Sequence, residues 1–351
     1  MSAFFVEQAR RLLAARDLPG ALEACRRAVA SPSPDPEAWF IKGTVELALG
    51  RAPDAVASAR AAVERAPADP RYWTLAGNAE HDAGRLEAAR EAYAQATRAA
   101  PGWALGWHRL GTVCFELGEV PEAEAAFERA VAADPNHVRA WNNLGHARLE
   151  RGLLDAAEAA LRRALALQPD YALAFYNLAR VARARGDVVR AGELAGLAAR
   201  LEPELVDAEL LAVEMLRRRG ELAAAKQRLE ALLNANPNHV GARNQLGELL
   251  WEAGFAAEGR EQYRLAAGVK PGSLRAALGS RLLLPPVYAS REDLARWRAG
   301  YAQGLEQLAA EAPAFARQSR ESVARDAQWS NFYLAYQGEE DVSLQAAYGR
   351  F

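Results

Sequence analysis

Lysine is almost missing from this chain. Of 351 residues only Lys42, Lys226 and Lys270 are lysine, and the other basic residues are arginine. The formal net charge is −2. No excess of cations is present on which a polyanion could lie, so no nucleic-acid partner is expected. The strong preference for arginine, together with abundant alanine, points to a GC-rich bacterial genome. Cysteine is also scarce, with only Cys25 and Cys114. They fall several helices apart, beyond disulfide reach, and read as small core residues of a reducing compartment. No apolar run approaches the ~20 residues that a membrane span needs. The stretch Met1–Glu7 has no basic segment leading into an apolar one. No signal peptide is therefore read there, and the cytoplasm is the expected compartment.

The motifs of common catalysis are missing as well. There is no glycine-rich phosphate loop, no dinucleotide fingerprint, no metalloprotease helix and no Cys/His metal cluster. The histidines do not cluster by spacing. His137 and His239 each follow Pro-Asn and read as turn-packing residues, while His81 and His146 fall on an inner helix face. The chain is expected to have no cofactor and no activity of its own. Yet 51% of its residues are hydrophobic and 25% charged, enough to build a core.

What the chain does have is a ruler. Pro67, Pro101, Pro135, Pro169, Pro203, Pro237 and Pro271 stand 34 residues apart. Gly50, Gly84, Gly118, Gly152, Gly186, Gly220 and Gly254 keep the same step. Such regularity belongs to one helical hairpin stacked repeatedly. With the first position at Pro36, the fourth reads Trp39, Trp73, Trp107, Trp141, Phe175, Glu209 and Arg243. The eighth reads Gly43, Gly77, Gly111, Gly145, Ala179, Val213 and Gly247. The twentieth and twenty-seventh are mostly alanine, from Ala55 and Ala62 onward. Positions four, seven, eight and eleven share one face of a first helix A. A large ring at four is expected to fill the gap beside the small residue at eight. The glycine at fifteen caps helix A in a left-handed conformation. Pro19, Pro53 and Pro121 fall in the first turn of helix B, and the last proline ends it.

This pattern resembles the tetratricopeptide repeat, as in Trp141-Asn142-Asn143-Leu144-Gly145 with its closing Gln168-Pro169. The resemblance covers 36–273, and a weaker copy with Phe5, Ala21, Cys25 and Ala28 precedes it. About eight repeats are counted. The expected fold is all-α, a right-handed α-solenoid over 1–273 with a helical capping or junction segment over 274–351. The repeats starting at 172 and 206 lose the tryptophan, and Gly192 and Gly196 interrupt a helix B. Altered curvature or flexibility near 186–220 is one reading of this, and a drifted repeat is the other.

After Gly272 the period fails. Leu274–Leu284 reads as a helix A without a matching helix B, and Pro285-Pro286 breaks it. Ser290 and Asp293 form a capping-box variant for a helix reaching about Ala310. Trp329, Phe332, Tyr333 and Tyr336 follow as an aromatic cluster. That cluster is expected to fold back over the last repeat or to pair two chains as a homodimer. Leu283-Leu284-Pro285-Pro286-Val287-Tyr288 and Asn331-Phe332-Tyr333-Leu334-Ala335-Tyr336-Gln337-Gly338 resemble the junction in bacterial relatives of O-linked N-acetylglucosamine transferase and SPINDLY. In that family the repeats lead into a two-lobed glycosyltransferase domain. No match to those lobes follows here, so no catalytic residue carries over. The ending at Phe351 is expected to mark a truncated chain or a non-catalytic relative.

In a tetratricopeptide superhelix, helix A lines the concave side. The resemblance therefore places His108, Asn142, Tyr176 and Asn244 in a groove, with Arg109, Asn143, Asn177 and Gln245 one residue on. Asn78, His146 and Arg180 join them from position nine. Amide side chains both donate and accept, so they can hold a peptide backbone without reading its sequence. The resemblance implies such an asparagine ladder. Asn143, Asn177 and Gln245 match it, whereas Ile41, Leu75, Arg109 and Leu211 depart from it. Arg180, Arg183, Arg217 and Arg218 read as a basic stretch for an acidic segment, or simply as cations at helix C-termini. The lysines of a carboxylate clamp are not there. The expected partner is a protein or peptide, a glycosylation acceptor in the leading reading. A stand-alone scaffold of an assembly or secretion system is the alternative. Calorimetry with UDP- and GDP-sugars should give no heat; saturable micromolar binding would reveal a site that these motifs do not show.

Overall fold

The structure, a computed structural model, describes residues 2–315, Leu344 and residues 346–348. It divides into two compact units, Met1–Arg185 and Gly186–Phe351. The aromatic cluster at Trp329–Tyr336 lies outside the described residues. No strand occurs among those residues.

The first unit contains α1 (Ser2–Ala14), α2 (Leu18–Val29), α3 (Pro36–Ala48), α4 (Ala52–Arg65), α5 (Pro70–Asp82) and α6 (Leu86–Ala99). It continues with α7 (Ala104–Glu116), α8 (Val120–Ala133), α9 (Val138–Glu150), α10 (Leu154–Leu167) and α11 (Ala172–Ala184). From α1 to α10 each odd helix packs on the even one after it, and every odd helix also touches the next odd one. This is a solenoid of helix-turn-helix repeats, with the helix-A faces aligned side by side.

Tight helix pairing follows from residue size. Ala55, Ala89, Ala123 and Ala157, all at position twenty, are fully buried. So are Ala62, Ala96, Ala130 and Ala164 at position twenty-seven. In the repeats from 70, 104 and 138 the glycine at position eight faces a large side chain at position twenty-four. A methyl on Gly77 would lie 2.4 Å from the Tyr93 ring, on Gly111 2.7 Å from Phe127, and on Gly145 2.5 Å from Leu161. The gap beside position eight is thus filled from helix B, and not by the ring at position four as the sequence suggested.

The position-four indole has another task. Trp73, Trp107 and Trp141 donate Nε1–H to the carbonyls of Pro67, Pro101 and Pro135 at 2.8, 2.8 and 2.9 Å. Arg243, which replaces the indole in a later repeat, donates Nε–H to the Pro237 carbonyl at 2.9 Å. Each bond ties helix A to the turn before it, contributing about 1 kcal/mol. Trp39 has Ser33 six residues back instead of the proline, and its buried Nε1 has no partner among the described residues.

The second unit contains α12 (Val188–Leu201), α13 (Val206–Arg218), α14 (Leu222–Ala235), α15 (Val240–Glu252) and α16 (Ala256–Val269). It ends with α17 (Leu274–Leu282) and α18 (Arg291–Phe315). Gly192, inside α12, lies against α13: a methyl there would come 3.2 Å from Cβ of the fully buried Met215. Close packing accounts for this glycine without any appeal to flexibility.

Helix α17 does have a cover. Leu274, Leu278 and Leu282 pack with Tyr301, Leu305, Leu308 and Phe315 of α18. Leu344, Ala347 and Tyr348 pack against the same cluster. Helix α18 runs to Phe315, beyond the expected Ala310, with Pro313 inside it. Its start is capped as expected, since Asp293 N–H donates to Ser290 Oγ at 3.1 Å and Ala289 N–H to Asp293 Oδ2 at 3.2 Å. The turn between α17 and α18 is held by Trp251, whose Nε1–H donates to the Leu284 carbonyl at 2.7 Å.

The turn glycines are left-handed, Gly118 with φ +79° and the other six on its step likewise. In the first repeat the same place is held by Arg16, at φ +59°. A side chain in that region costs about 1–2 kcal/mol, partly offset by the larger unfolded-state freedom of glycine. Arg16→Gly should therefore raise stability by up to about 1 kcal/mol, and Gly118→Ala should lower it by about as much. Urea unfolding followed by circular dichroism measures both. A loss of stability in Arg16→Gly would show that the left-handed conformation of Arg16 carries no strain that glycine relieves.

Candidate partner-binding groove

The aligned A helices of the first unit present one polar face. Arg180 Nη1–H donates to Asn177 Oδ1 at 3.3 Å, and Asn177 Nδ2–H to Asn142 Oδ1 at 3.0 Å. Asn142 Nδ2–H donates to Asn143 Oδ1 at 3.1 Å, and Asn143 Nδ2 lies 3.2 Å from His108 Nε2. With an amide nitrogen facing it, Nε2 accepts, and the ring proton sits on Nδ1. Five side chains from α7, α9 and α11 thus form one directed chain of hydrogen bonds.

That chain decides which amides remain available. Asn142 and Asn177 are each only 4% exposed, and their oxygens are engaged by neighbours. Asn143 is half-buried, and keeps one N–H and one lone pair unused among the described residues. It is a donor–acceptor pair held in place from both sides. In the first unit the ladder therefore narrows to one groove-facing amide, Asn143, because Asn177 is taken up by Asn142 and Arg180.

His108 ends the chain in a confined place. Its ring lies 4.8 Å from the His137 ring and 6.0 Å from the Phe127 ring. Burial first, then the charges of His137, Arg109 and Arg139, push its pKa down to about 4. Its Nδ1 is buried with no partner among the described residues. His137 proves to be a helix cap, its Nδ1 accepting from Ala140 N–H at 3.3 Å. His239 does the same for Ala242 at 3.0 Å. His146 stacks on Phe115 at 4.6 Å and lies 3.4 Å from Glu150. Burial lowers its pKa too.

Nearer the N-terminus the face opens into a cleft of about 260 Å³. Asn78, His81 and Asp82 of α5 line it, with Tyr93 of α6, Arg109 and Thr112 of α7, and the apolar Leu47 and Val113. The Tyr93 hydroxyl donates to Asn78 Oδ1 at 2.8 Å, leaving the amide N–H groups of Asn78 as its free side. His81 lies 2.7 Å from Glu116 and 3.6 Å from Asp82. Tyr93 carries no signal as a groove residue in the sequence, because it stands on helix B. Only the glycine opposite it, Gly77, lets its ring pass toward the A face.

The remaining candidates are dispersed. Tyr176 is half-buried with the Arg180 guanidinium 5.8 Å over its ring, and Arg183 is exposed in the last turn of α11. Asn244 and Gln245 belong to the second unit. There Gln245 Nε2–H donates to the Leu210 carbonyl at 3.3 Å, and its Oε1, like Asn244 Oδ1, is buried without a partner among the described residues. The basic stretch is largely neutralised. Arg180 pairs with Glu150, Arg217 with Glu248 and Glu252, and Arg218 with Glu214.

Residues 6–70, 42–104, 108–172, 143–205 and 210–273 match the family model of the tetratricopeptide repeat. The chain belongs to the tetratricopeptide repeat family. A comparison with curated proteins finds no match. Among solved structures, a chain of the Cut9–Hcn1 hetero-tetramer of the APC/C is 15% identical over 78% of this chain, with a TM-score of 0.56. This tetratricopeptide protein spans only 54% of that chain's length. A tetratricopeptide repeat protein from Parabacteroides merdae is 17% identical over 67% of this chain and 93% of its own, at a TM-score of 0.56. PilW, a type IV pilus biogenesis factor, is 25% identical over 61% of this chain and 98% of its own, at 0.54. The first two likenesses are of fold alone. No helix among the described residues is long and apolar enough to cross a membrane.

The low pKa of His108 makes stability depend on pH. The group is neutral in the folded chain down to about pH 4, but takes up a proton near 6.5 when unfolded. Its contribution is fully present above pH 6.5 and is lost as pH falls from there to about 4, by up to about 3 kcal/mol. His108→Gln should remove that part of the loss. Urea midpoints at pH 7.5 and pH 5 measure it; equal losses in the two proteins would assign the acid sensitivity elsewhere.

Proposed function

We propose that this tetratricopeptide protein is a binding scaffold, and that the A-helix face of its first unit holds an extended segment of a protein partner. The observation that carries this reading is Asn143, a half-buried amide clamped by Asn142 on one side and His108 on the other. Its unused N–H and lone pair match the C=O and N–H of one peptide group. A preorganised amide loses little side-chain entropy when a backbone docks on it.

The finer role we propose is acceptor recognition for a protein O-glycosyltransferase, in the cytoplasm of a bacterium, with no catalysis by the chain itself. Its support is the resemblance of 283–288 and 331–338 to the junction segments of that family. The likeness to PilW favours a second reading, a scaffold for assembling a surface structure. Both readings need the same groove.

Peptides selected from a random twelve-residue display library on the intact chain supply the ligand for the test. Asn143→Ala should weaken the best of them by about 1 kcal/mol, roughly fivefold, because a hydrogen-bond pair to the backbone is lost. Helicity should not change, while melting should fall modestly because Asn142 and His108 each lose a partner. Unchanged affinity in calorimetry would remove Asn143 from the binding face.

A further inference from the structure

The hydrogen-bonded chain on the A-helix face would run equally well in either direction but for one member. An amide has a donor end and an acceptor end, so Asn142, Asn143 and Asn177 can each turn over, and a neutral imidazole carries its proton on either nitrogen. Turning one of them alone sets two donors or two acceptors face to face. The amides and the ring therefore reverse together or not at all. Arginine has no such freedom, because a guanidinium only donates.

Arg180 stands at the head of the chain and is held there. Glu150 accepts its Nη2–H at 2.5 Å, and its guanidinium lies 5.8 Å over the Tyr176 ring. Its Nη1–H faces Asn177 and requires an oxygen there. The order of every later group follows from that requirement. Asn177 gives an N–H to Asn142, Asn142 to Asn143, and Asn143 to His108 Nε2.

The far end has no preference to set against this. Burial and the charges of His137, Arg109 and Arg139 keep the His108 ring neutral down to about pH 4. Arg109 and Arg139 are exposed, and neither has a hydrogen bond or an ion pair among the described residues. A neutral ring has one proton to place. With Nε2 accepting, that proton sits on Nδ1, which is buried without a partner among the described residues. Reversal would leave Nδ1 just as unpartnered, as a bare lone pair. The tautomer of His108 therefore reports the order imposed at Arg180.

We propose that Arg180 is a positioning residue, whose donor-only guanidinium sets the order of donors and acceptors along α11, α9 and α7 and so decides which side of Asn143 offers the lone pair and which the N–H. Its consequence for binding rests on the groove reading above, and it adds why the groove amide meets a partner strand one way round.

Nitrogen-15 NMR of the histidine rings in the intact chain at pH 7.5 reads the order without any ligand, and loss of the signal in His108→Gln assigns it. The His108 proton should sit on Nδ1. Arg180→Lys, another obligatory donor, should leave it there. Arg180→Met should show both tautomers. Exchange of the pair, Glu150→Arg with Arg180→Glu, puts an acceptor at the head and should move the proton to Nε2. Circular dichroism checks that each variant is folded. A proton on Nε2 in the unaltered chain overturns the order. A proton that stays on Nδ1 in the methionine and exchanged variants overturns the role of Arg180. The peptides selected on the intact chain supply the second arm. The exchange should weaken them roughly fivefold, as Asn143→Ala does, and combining the two should cost no more than either alone. A further loss on combination means that Arg180 touches the peptide itself, and overturns the positioning role. A reversed tautomer with unchanged affinity removes Asn143 from the binding face and leaves the control of the order by Arg180 standing.

Discussion

The central repeats rest on one steric match, a glycine at position eight of helix A against a large residue at position twenty-four of helix B. Gly77 with Tyr93, Gly111 with Phe127 and Gly145 with Leu161 leave no room for even a methyl group. In the second unit Tyr263 is held between the position-eight glycine Gly247 and Gly279 of the next helix. Because the large side chain fits only over that glycine, the rotation of helix A about its axis is set. Everything on its other face, Asn78, Arg109 and Asn143 included, inherits its direction from that contact. Interiors this dense transmit a change of one methyl group outward.

The groove shows how buried polar groups are settled before any partner arrives. A polar side chain on a packed A-helix face must find a partner or pay for its desolvation. Asn142 and Asn177 find each other, and Arg180 finds both Asn177 and Glu150. What is left over is informative for that reason. Asn143 keeps a donor and an acceptor, and Arg109 and Arg139 keep their charge. The same residue types, counted without their neighbours, suggest a wider and more basic groove than the one that exists.

Much of the architecture was legible in the sequence. The 34-residue step of prolines and glycines announces the hairpins, and the left-handed turn at Gly118 and the capping of α18 by Ser290 and Asp293 follow from local chemistry. Local rules failed where the decisive contact was distant. The indole of Trp141 reaches back to the Pro135 carbonyl instead of filling the gap at Gly145. His137 and His239 look like turn fillers and are helix caps. Helix α17 looks unpaired because its cover, α18, does not keep the period.

Periodicity and turn residues depend on the backbone and its near neighbours in the chain, so composition and spacing alone determine the repeat, its helices and the face that each helix turns outward. Which polar groups on that face stay free is a question about pairs 24 to 35 residues apart, such as Arg148 with Glu124 or Asn177 with Asn142. Only the stacking of one repeat on the next brings such pairs within hydrogen-bond distance. The tertiary structure therefore decides that Asn143 and Arg109 remain available while Asn177 and Arg180 do not.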